Sequence, residues 1–313
     1  MVRKLKFYKN FKVLNVHKKS ILLIGNFDGL HLGHQKLFNV AKKYKKKFKL
    51  KVGVITFEPM PKMYFNKKLK NFRISNVSQK IKILEKLGID FLIIKKFDKK
   101  FSKIKSHSFI KQILYNKLDA KYIFVSNNFR FGNKREGDVN QLAKYEKNYK
   151  YKIVKPKPYK LKNKIISSTF VRKLLFNGKI ELANKLLNRN WSIKGIVVKG
   201  RQMGKTIGFP TCNIDIKDYV LAKPGVYAVK IYQKNNNFSL KGIANLGYRP
   251  TFNQKKILLE VHIFNYYGNL YNKHLNIEFI NFIRKEKKFK NINQLKKQIN
   301  LDLIIAKKNL IKK

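Results

Sequence analysis

Ile21-Leu22-Leu23-Ile24-Gly25-Asn26-Phe27-Asp28-Gly29-Leu30-His31-Leu32-Gly33-His34 decides how the first half of this chain is read. The apolar run at its start reads as a buried strand. Glycines then break the run, and the segment GHQKLFNVAKKY, from Gly33 onward, takes up helical periodicity. A strand that hands over to a helix through a glycine loop opens a βα unit. The glycines let backbone N–H groups approach a phosphate closely, and the helix N-terminus adds partial positive charge. His31 and His34 are three apart, so one helical turn can point both imidazoles at the same anion. Two other readings stay open on these residues alone. The pair could be half of a zinc site, although no cysteine or third histidine lies nearby and Asp28 completes it poorly. They could also be ordinary histidines at a helix start.

Outward from this stretch the alternation continues. KVGVITF (51–57), DFLIIKKF (90–97) and AKYIFVS (120–126) read as further strands. VSQKIKILEKLG (77–88), closed by Gly88, and SFIKQILYNKL (108–118) read as helices. The pattern predicts a parallel sheet with helices on both faces, whose ligands bind beyond the carboxyl ends of the strands. VRKLLFNG (171–178) and IELANKLLN (180–188) add two short helices. Strand-like runs then follow one another at 192–200, 225–232, 239–247, 258–264 and 275–283, separated by Gly-, Pro- and Asn-bearing turns. They predict a small β-barrel closed by an amphipathic helix over 291–310. The expected domains are 1–187 and 188–313.

Further motifs fall at the strand ends of the first half. Thr56-Phe57-Glu58-Pro59 follows the second strand; Asn127-Asn128-Phe129-Arg130-Phe131-Gly132, Arg135 and Gly137-Asp138 follow the fourth. Ser167-Ser168-Thr169, with Arg172, opens the next helix and by itself reads as a helix N-cap. In this order, and with the G-x-F-D-G-x-H-x-G-H string, they resemble the adenylyltransferase half of bacterial FAD synthetases, within the nucleotidylyltransferase superfamily. The resemblance implies a Rossmann-like α/β fold and an ATP loop made by Gly25, Phe27, Asp28, Gly29 and Gly33. It implies that His31 and His34 bind ATP phosphates and stabilise the transition state. Ser168, Thr169 and Arg172 would hold the β- and γ-phosphates that leave as pyrophosphate, and Asn128 would sit near the reacting groups. Asn128, Phe129, Arg130 and Phe131 would help hold the flavin. Met60 stands where relatives commonly carry His, and Ser126 where Gly is usual.

The second half has its own chemistry. Gly200, Gly204 and Gly208 lead into Phe209-Pro210-Thr211-Cys212-Asn213. The stretch is not a P-loop, because no glycine lies at the required spacing before Lys205-Thr206; a glycine-rich turn can still wrap phosphates with backbone donors. Thr211 and Asn213 are two apart and share a side of an extended chain. Their hydroxyl and amide oxygens are hard ligands suited to Mg²⁺. Pro224-Gly225-Val226-Tyr227, Asn245-Leu246-Gly247-Tyr248-Arg249-Pro250-Thr251-Phe252 and Leu259-Glu260-Val261-His262 follow, then Arg284, Glu286 and Phe289. The series resembles the riboflavin kinase domain, with Cys212 in place of the usual Ala and Asn272 in place of a usual Gly. If that glycine needs positive φ, Asn is the next-best occupant. The resemblance implies that Glu260 is the general base, that Gly204, Lys205 and Gly208 bind ATP, that Thr211 and Asn213 hold Mg²⁺, and that Arg284 contacts the flavin.

Together the two halves resemble the bacterial bifunctional riboflavin kinase/FMN adenylyltransferases along nearly the whole chain. The expected substrates are riboflavin, FMN and ATP, with Mg²⁺. A relative with only one activity is disfavoured by intact His31, His34 and Arg172 in one half and intact Thr211, Asn213 and Glu260 in the other. The formal net charge of +57, from 73 Lys+Arg against 16 Asp+Glu, raises an RNA-binding alternative. The lysines are scattered instead of clustered, and Asn, Ile, Phe and Tyr are abundant with them, which fits compositional drift in an AT-rich genome. No specific nucleic-acid partner is expected. The basic N-terminus lacks a following signal-peptide h-region, no run is long enough to span a membrane, and one cysteine suits a reducing compartment. A cytoplasmic monomer is the expectation.

Overall fold

A computed structural model describes residues 5–69, 71–200, 203–216, 219–233, 238–250 and 255–311. Residues 1–4 of the basic N-terminus, and Thr251 and Phe252 of the second-half motifs, lie outside the described residues. Two units emerge, Met1–Leu69 with Val77–Ile166, and Lys70–Asn76 with Ser167–Lys313.

The first unit is built on a six-stranded sheet. β1 (Lys6–Tyr8), β2 (Ile21–Ile24), β3 (Val52–Glu58), β4 (Phe91–Lys96), β5 (Tyr122–Phe124) and β6 (Lys152–Val154) lie in the order β1-β4-β3-β2-β5-β6. Every neighbouring pair is parallel. Alternate side chains enter two separate cores. Leu22, Ile24, Ile55 and Ile93 pack with Phe109, Ile113 and Leu142 on one face. Ile21, Leu23, Val52, Val54 and Leu92 pack with Phe38, Ala41 and Leu84 on the other. Helix α1 (Leu32–Phe48) follows β2; α2 (Pro61–Phe65) and α3 (Val77–Lys86) follow β3; α4 (Lys99–Ser102) and α5 (Ser106–Ser108) follow β4. α6 (Val139–Lys144) and α7 (Glu146–Tyr149) precede β6, and the hairpin β7 (Lys160–Leu161) and β8 (Lys164–Ile165) ends the unit. From β2 the chain adds β3 and β4 on one side and β5 and β6 on the other. The loop after β2 therefore lies at the switch point of strand order, where such sheets bind ligands.

The sequence pattern anticipates the doubly covered parallel sheet. It misses β1 and β6, three residues each at exposed or half-buried positions, whereas the equally short β5 lies within a longer apolar run. The helix expected over 108–118 is a π-helix at Phe109–Lys117, continuing α5. Its buried positions Phe109, Ile113 and Leu118, and Ile110 with Leu114, recur four or five apart, which the wider winding brings onto one side.

The second unit is a closed antiparallel barrel in the order β10-β13-β12-β11-β14-β9. Its strands are β9 (Trp191–Val198), β10 (Cys212–Ile214), β11 (Gly225–Gln233), β12 (Leu240–Pro250), β13 (Lys255–Ile263) and β14 (His274–Lys285). Closure leaves no free edge. Trp191 and Phe279 approach at 4.6 Å and Tyr227 and Phe279 at 5.0 Å, filling one end. α10 (Met203–Thr206) lies between β9 and β10, and α11 (Ile292–Ile311) lays Ala306 and Leu310 on Val226, Ala228, Ile243 and Ile280.

The second compact unit also takes in α8 (Ser168–Phe176) and α9 (Ile180–Leu187), which pack with the barrel. Asn184 on α9 donates to the Phe279 carbonyl at 2.8 Å and accepts from the Trp191 amide at 2.7 Å. Residues 71–76 join it as well. The Val220 amide donates to the Arg73 carbonyl at 2.7 Å, and Trp191 Nε1 donates to the Ile74 carbonyl at 3.0 Å.

Candidate functional site

Each unit carries its own candidate site. In the first, β2 ends at Ile24, and Gly25 still donates to the Ile55 carbonyl at 3.0 Å. The chain then leaves the sheet. Phe27 (φ 47), Gly29 (φ 76) and Leu30 (φ 43) take positive φ, a tight reversal that only a glycine accepts without strain at its centre. Asp28, Gly29 and Leu30 are buried in a short 3₁₀ turn, and His31 is the N-cap of α1. Gln35 fastens the reversal, its side chain donating to the Leu30 carbonyl at 2.9 Å.

His31 and His34 come together as their spacing predicts. Their rings stack at 3.8 Å with 21° between planes, and Phe27 meets His34 edge-on at 5.2 Å. Gly33 lies tight against them, since a Cβ there would stand 3.0 Å from the Ile166 carbonyl and 3.1 Å from the His31 ring. His34 Nδ1 is buried with no hydrogen-bond partner among the described residues. Burial holds the His34 imidazole well below the usual histidine range, and the neighbouring His31 and Lys80 add to the effect. Among the described residues no group of three or more His, Cys, Asp or Glu is placed to share a metal ion, so the histidine pair has no zinc-site companions there.

Two other first-half motifs follow the carboxyl ends of β3 and β5. Thr56 is buried and donates to the Asn26 carbonyl at 3.2 Å. Met60, where relatives commonly carry His, is buried beside it in sequence at the start of α2. After β5, Ser126 Oγ donates to Asn128 Oδ1 at 2.9 Å, and both residues are exposed. Phe129 and Phe131 stack at 5.5 Å; Phe131 belongs to the core against Phe109, whereas Phe129 stays half-buried. Arg130 is exposed and pairs with Asp138 at 3.5 Å. Ser168, Thr169 and Arg172 lie on α8 of the second unit, where the N-cap oxygen is Ser167, accepting from the Phe170 amide at 3.2 Å. Arg172 donates from Nε to the Phe72 carbonyl at 2.8 Å, and its guanidinium lies 3.7 Å from the Phe72 ring centroid.

In the second unit a cavity of about 550 Å³ opens beside the glycine turn. That volume suits a drug-sized ligand. Asn213 on β10, Glu260 on β13 and Asn245 on β12 sit directly opposite one another across three strands, so their side chains share one face. All three line the cavity, with Thr211 and His262. Asn213 is 6% exposed, and its Oδ1 has no hydrogen-bond partner among the described residues. The turn closes tightly on these groups. A Cβ at Gly204 would collide with the Phe209 carbonyl and stand 3.2 Å from Thr211 Oγ1. Phe209 donates to the Gly204 carbonyl at 2.8 Å, Gly208 has φ 88, and Lys205 is exposed. His262 Nδ1 bonds the Pro210 carbonyl at 2.8 Å, tying the turn to β13. Burial pushes the half-buried Cys212 thiol up to about 11, which keeps it protonated at neutral pH. Asn272 has φ 61, the left-handed conformation expected of a glycine position.

Arg284 lines the same cavity, but its guanidinium is engaged. Nε and a terminal nitrogen donate to Asp302 of α11 at 2.7 to 3.0 Å, and Asp302 is 1% exposed. Asp302 also accepts from Gln298 at 3.0 Å. Asn245 and His262 stand in the quoted motifs without an assigned role, and Lys80 and Asp302 lie outside every motif. Lys80 and Asp302 do leave a trace, each being a charge on the apolar stripe of its helix.

The FAD synthetase family model matches residues 14–170, and the riboflavin kinase family model matches residues 187–310. A bifunctional riboflavin kinase/FMN adenylyltransferase of Buchnera aphidicola subsp. Schizaphis graminum is 41% identical, over 96% of this chain and 97% of its own. Proteins of the same name from Haemophilus influenzae and Escherichia coli are 38% and 35% identical, over 91% and 92% of this chain and 92% and 91% of their own. A crystal structure titled a macrolide-efflux protein, from Streptococcus pneumoniae, superposes with a TM-score of 0.85 at 26% identity, over 97% of this chain and 99% of that one. Among the described residues no helix is long and apolar enough to cross a membrane.

Proposed function

Because the chain belongs to the bifunctional riboflavin kinase/FMN adenylyltransferase family, we propose that its two reactions run on the two constellations just described, divided at residues 187 and 188. The chain phosphorylates riboflavin to FMN with ATP and adenylylates FMN to FAD with release of pyrophosphate. The roles of individual residues are the proposal.

In the kinase reaction Glu260 accepts the proton of the riboflavin 5′-hydroxyl as that oxygen attacks the γ-phosphorus and ADP leaves. The observation that carries this is the register of Asn213, Glu260 and Asn245 on one face of the cavity wall. A positioned base is worth roughly 10²–10⁴ in rate. Thr211 and Asn213 fit Mg²⁺, since Asn213 Oδ1 is a buried hard oxygen with its acceptor capacity open. Mg²⁺ bound there would neutralise charge on the ATP phosphates. The Gly204–Gly208 turn, with Lys205, holds the phosphates, and Arg284 shapes the flavin cavity through its hold on Asp302.

In the adenylyl reaction an FMN phosphate oxygen attacks the α-phosphorus of ATP and pyrophosphate leaves. The loop of Gly25, Phe27, Asp28, Gly29 and Gly33 offers backbone donors, and His31 and His34 donate to phosphate oxygens where charge accumulates. Support comes from the stacked histidines at the α1 N-terminus. For Ser168, Thr169 and Arg172 on the leaving pyrophosphate, and for Asn128, Phe129, Arg130 and Phe131 at the flavin, the support is the family pattern. Riboflavin, FMN and ATP are the small-molecule partners. The proposed setting is a cytoplasmic monomer without a specific nucleic-acid partner, supported by the single cysteine and by ATP as co-substrate.

The test is flavin product analysis after incubation with riboflavin, ATP and Mg²⁺. Glu260→Gln should stop FMN formation while supplied FMN is still converted to FAD. Normal FMN formation by Glu260→Gln would remove the assigned base.

A further inference from the structure

Lys80 is a buried cation that neither reaction has used. On α3 it occupies a core position, 3% exposed, on the stripe of Val77, Ile81 and Leu84. Lysine is rarely this buried without a defined task. Its Nζ donates to the Asn26 carbonyl at 2.8 Å and to Thr56 Oγ1 at 3.3 Å, while Thr56 Oγ1 donates to the same carbonyl. A trans peptide sets its C=O and N–H in opposite directions. Tying down the Asn26 carbonyl therefore turns the Phe27 N–H away from Lys80. Phe27 and Gly29 next take positive φ, the kind of conformation that gathers N–H groups into an anion-binding concavity.

We propose that Lys80 is a positioning residue for adenylyl transfer: through the Asn26 carbonyl it orients the peptide that leads into the phosphate loop. Lys80 matters in this way only if His31 and His34 serve adenylyl transfer, the role proposed for them.

His31 stacks on His34, Asp28 is buried in the same loop, Lys80 acts on His34 from α3, and the first turn of α1 carries no acid. Burial, His31 and then Lys80 all oppose its protonation. A neutral His34 donates one hydrogen bond to a phosphate oxygen. Removing the Lys80 charge lets His34 take up its proton at higher pH, so the acid limb of FAD formation should move upward.

The experiment uses the full chain as wild type, Lys80→Gln, Lys80→Arg and His31→Ala. FMN-to-FAD rates are followed from about pH 5 to 9, and His34 is titrated by NMR. Riboflavin phosphorylation serves as the folding control. Lys80→Gln should lose about 10- to 100-fold in FAD formation, with kinase activity kept. Its acid limb and the His34 titration should both rise by about half a pH unit. Lys80→Arg should return both to the wild-type position. FAD formation by Lys80→Gln within about twofold of wild type, or a folded Lys80→Arg no better than Lys80→Gln, would overturn the proposal. If Lys80→Gln loses kinase activity as well, Lys80→Arg decides: kept kinase activity with FAD formation restored upholds it, and kept kinase activity with FAD formation still low overturns it. Normal FAD formation by His31→Ala would instead sink the underlying histidine assignment, independently of the Lys80 results.

Discussion

At the residue scale the two sites rest on groups held in place before any substrate arrives. His31 and His34 are stacked, and Asn213 and Glu260 sit opposite each other in adjoining strands. Preorganised donors give their largest benefit where charge develops, so His31→Ala should lower FAD formation by about 10²–10³ and leave FMN formation unchanged. Separate initial-rate assays with FMN and with riboflavin would check this. Thr211 and Asn213 should act together. Asn213→Ala should raise the Mg²⁺ concentration needed for half-maximal kinase rate, with little change in the FAD-forming step, as a Mg²⁺ titration of each reaction would record. The principal side chains of both sites were legible because the motifs are dense and contiguous. Lys80 and Asp302 were not, since a charge on an apolar stripe reads as a surface residue until the packing around it is known. Arg284 shows the converse. The motif marks the residue, but only the fold reveals that its guanidinium is spent on Asp302.

At the element scale, hydrophobic period accounts for most strands and for α1, α3, α8, α9 and α11. What it could not carry were three-residue strands such as β1, β6 and β10, and the π-helical winding of 109–117. These depend on partners far away in sequence. Residues 71–76 are a stronger case. Nothing local marks them as part of the second unit, whose Trp191 and Val220 they bond. The Arg284–Asp302 pair ties β14 to α11 with one partner fully buried. Removing Arg284 would strand that carboxylate, so Arg284→Met should destabilise the second unit by about 3–5 kcal/mol in urea unfolding. Both reactions should fail together in that variant on heating, because Ser168, Thr169 and Arg172 lie on α8 of the same unit.

At the scale of the whole molecule the excess of positive charge works against compaction. Thermal stability should therefore rise with added salt, while any affinity for RNA collapses at physiological ionic strength. Salt-stable RNA binding would revive the nucleic-acid alternative. Acid should weaken the first unit in a defined window. His17 and His34 are both held below the ordinary histidine value, His17 mainly by burial and partly offset by Asp90. The unfolded chain binds protons below about pH 6.5 that the folded unit refuses, so stability is full above that pH and falls as pH drops below it. Melting curves at a series of pH values would show the loss, and His17→Gln should make it shallower. The central claim is that two independent sites act in sequence, with FMN passing between them as a free product. Mixing Glu260→Gln with His31→Ala, then supplying riboflavin, ATP and Mg²⁺, tests it most directly. Either variant alone should make FAD at about a hundredth of the wild-type rate or less, and the mixture should make it readily, because FMN released by one is adenylylated by the other. FAD at close to the wild-type rate from either variant alone, or a mixture of two folded proteins no faster than either, would contradict it.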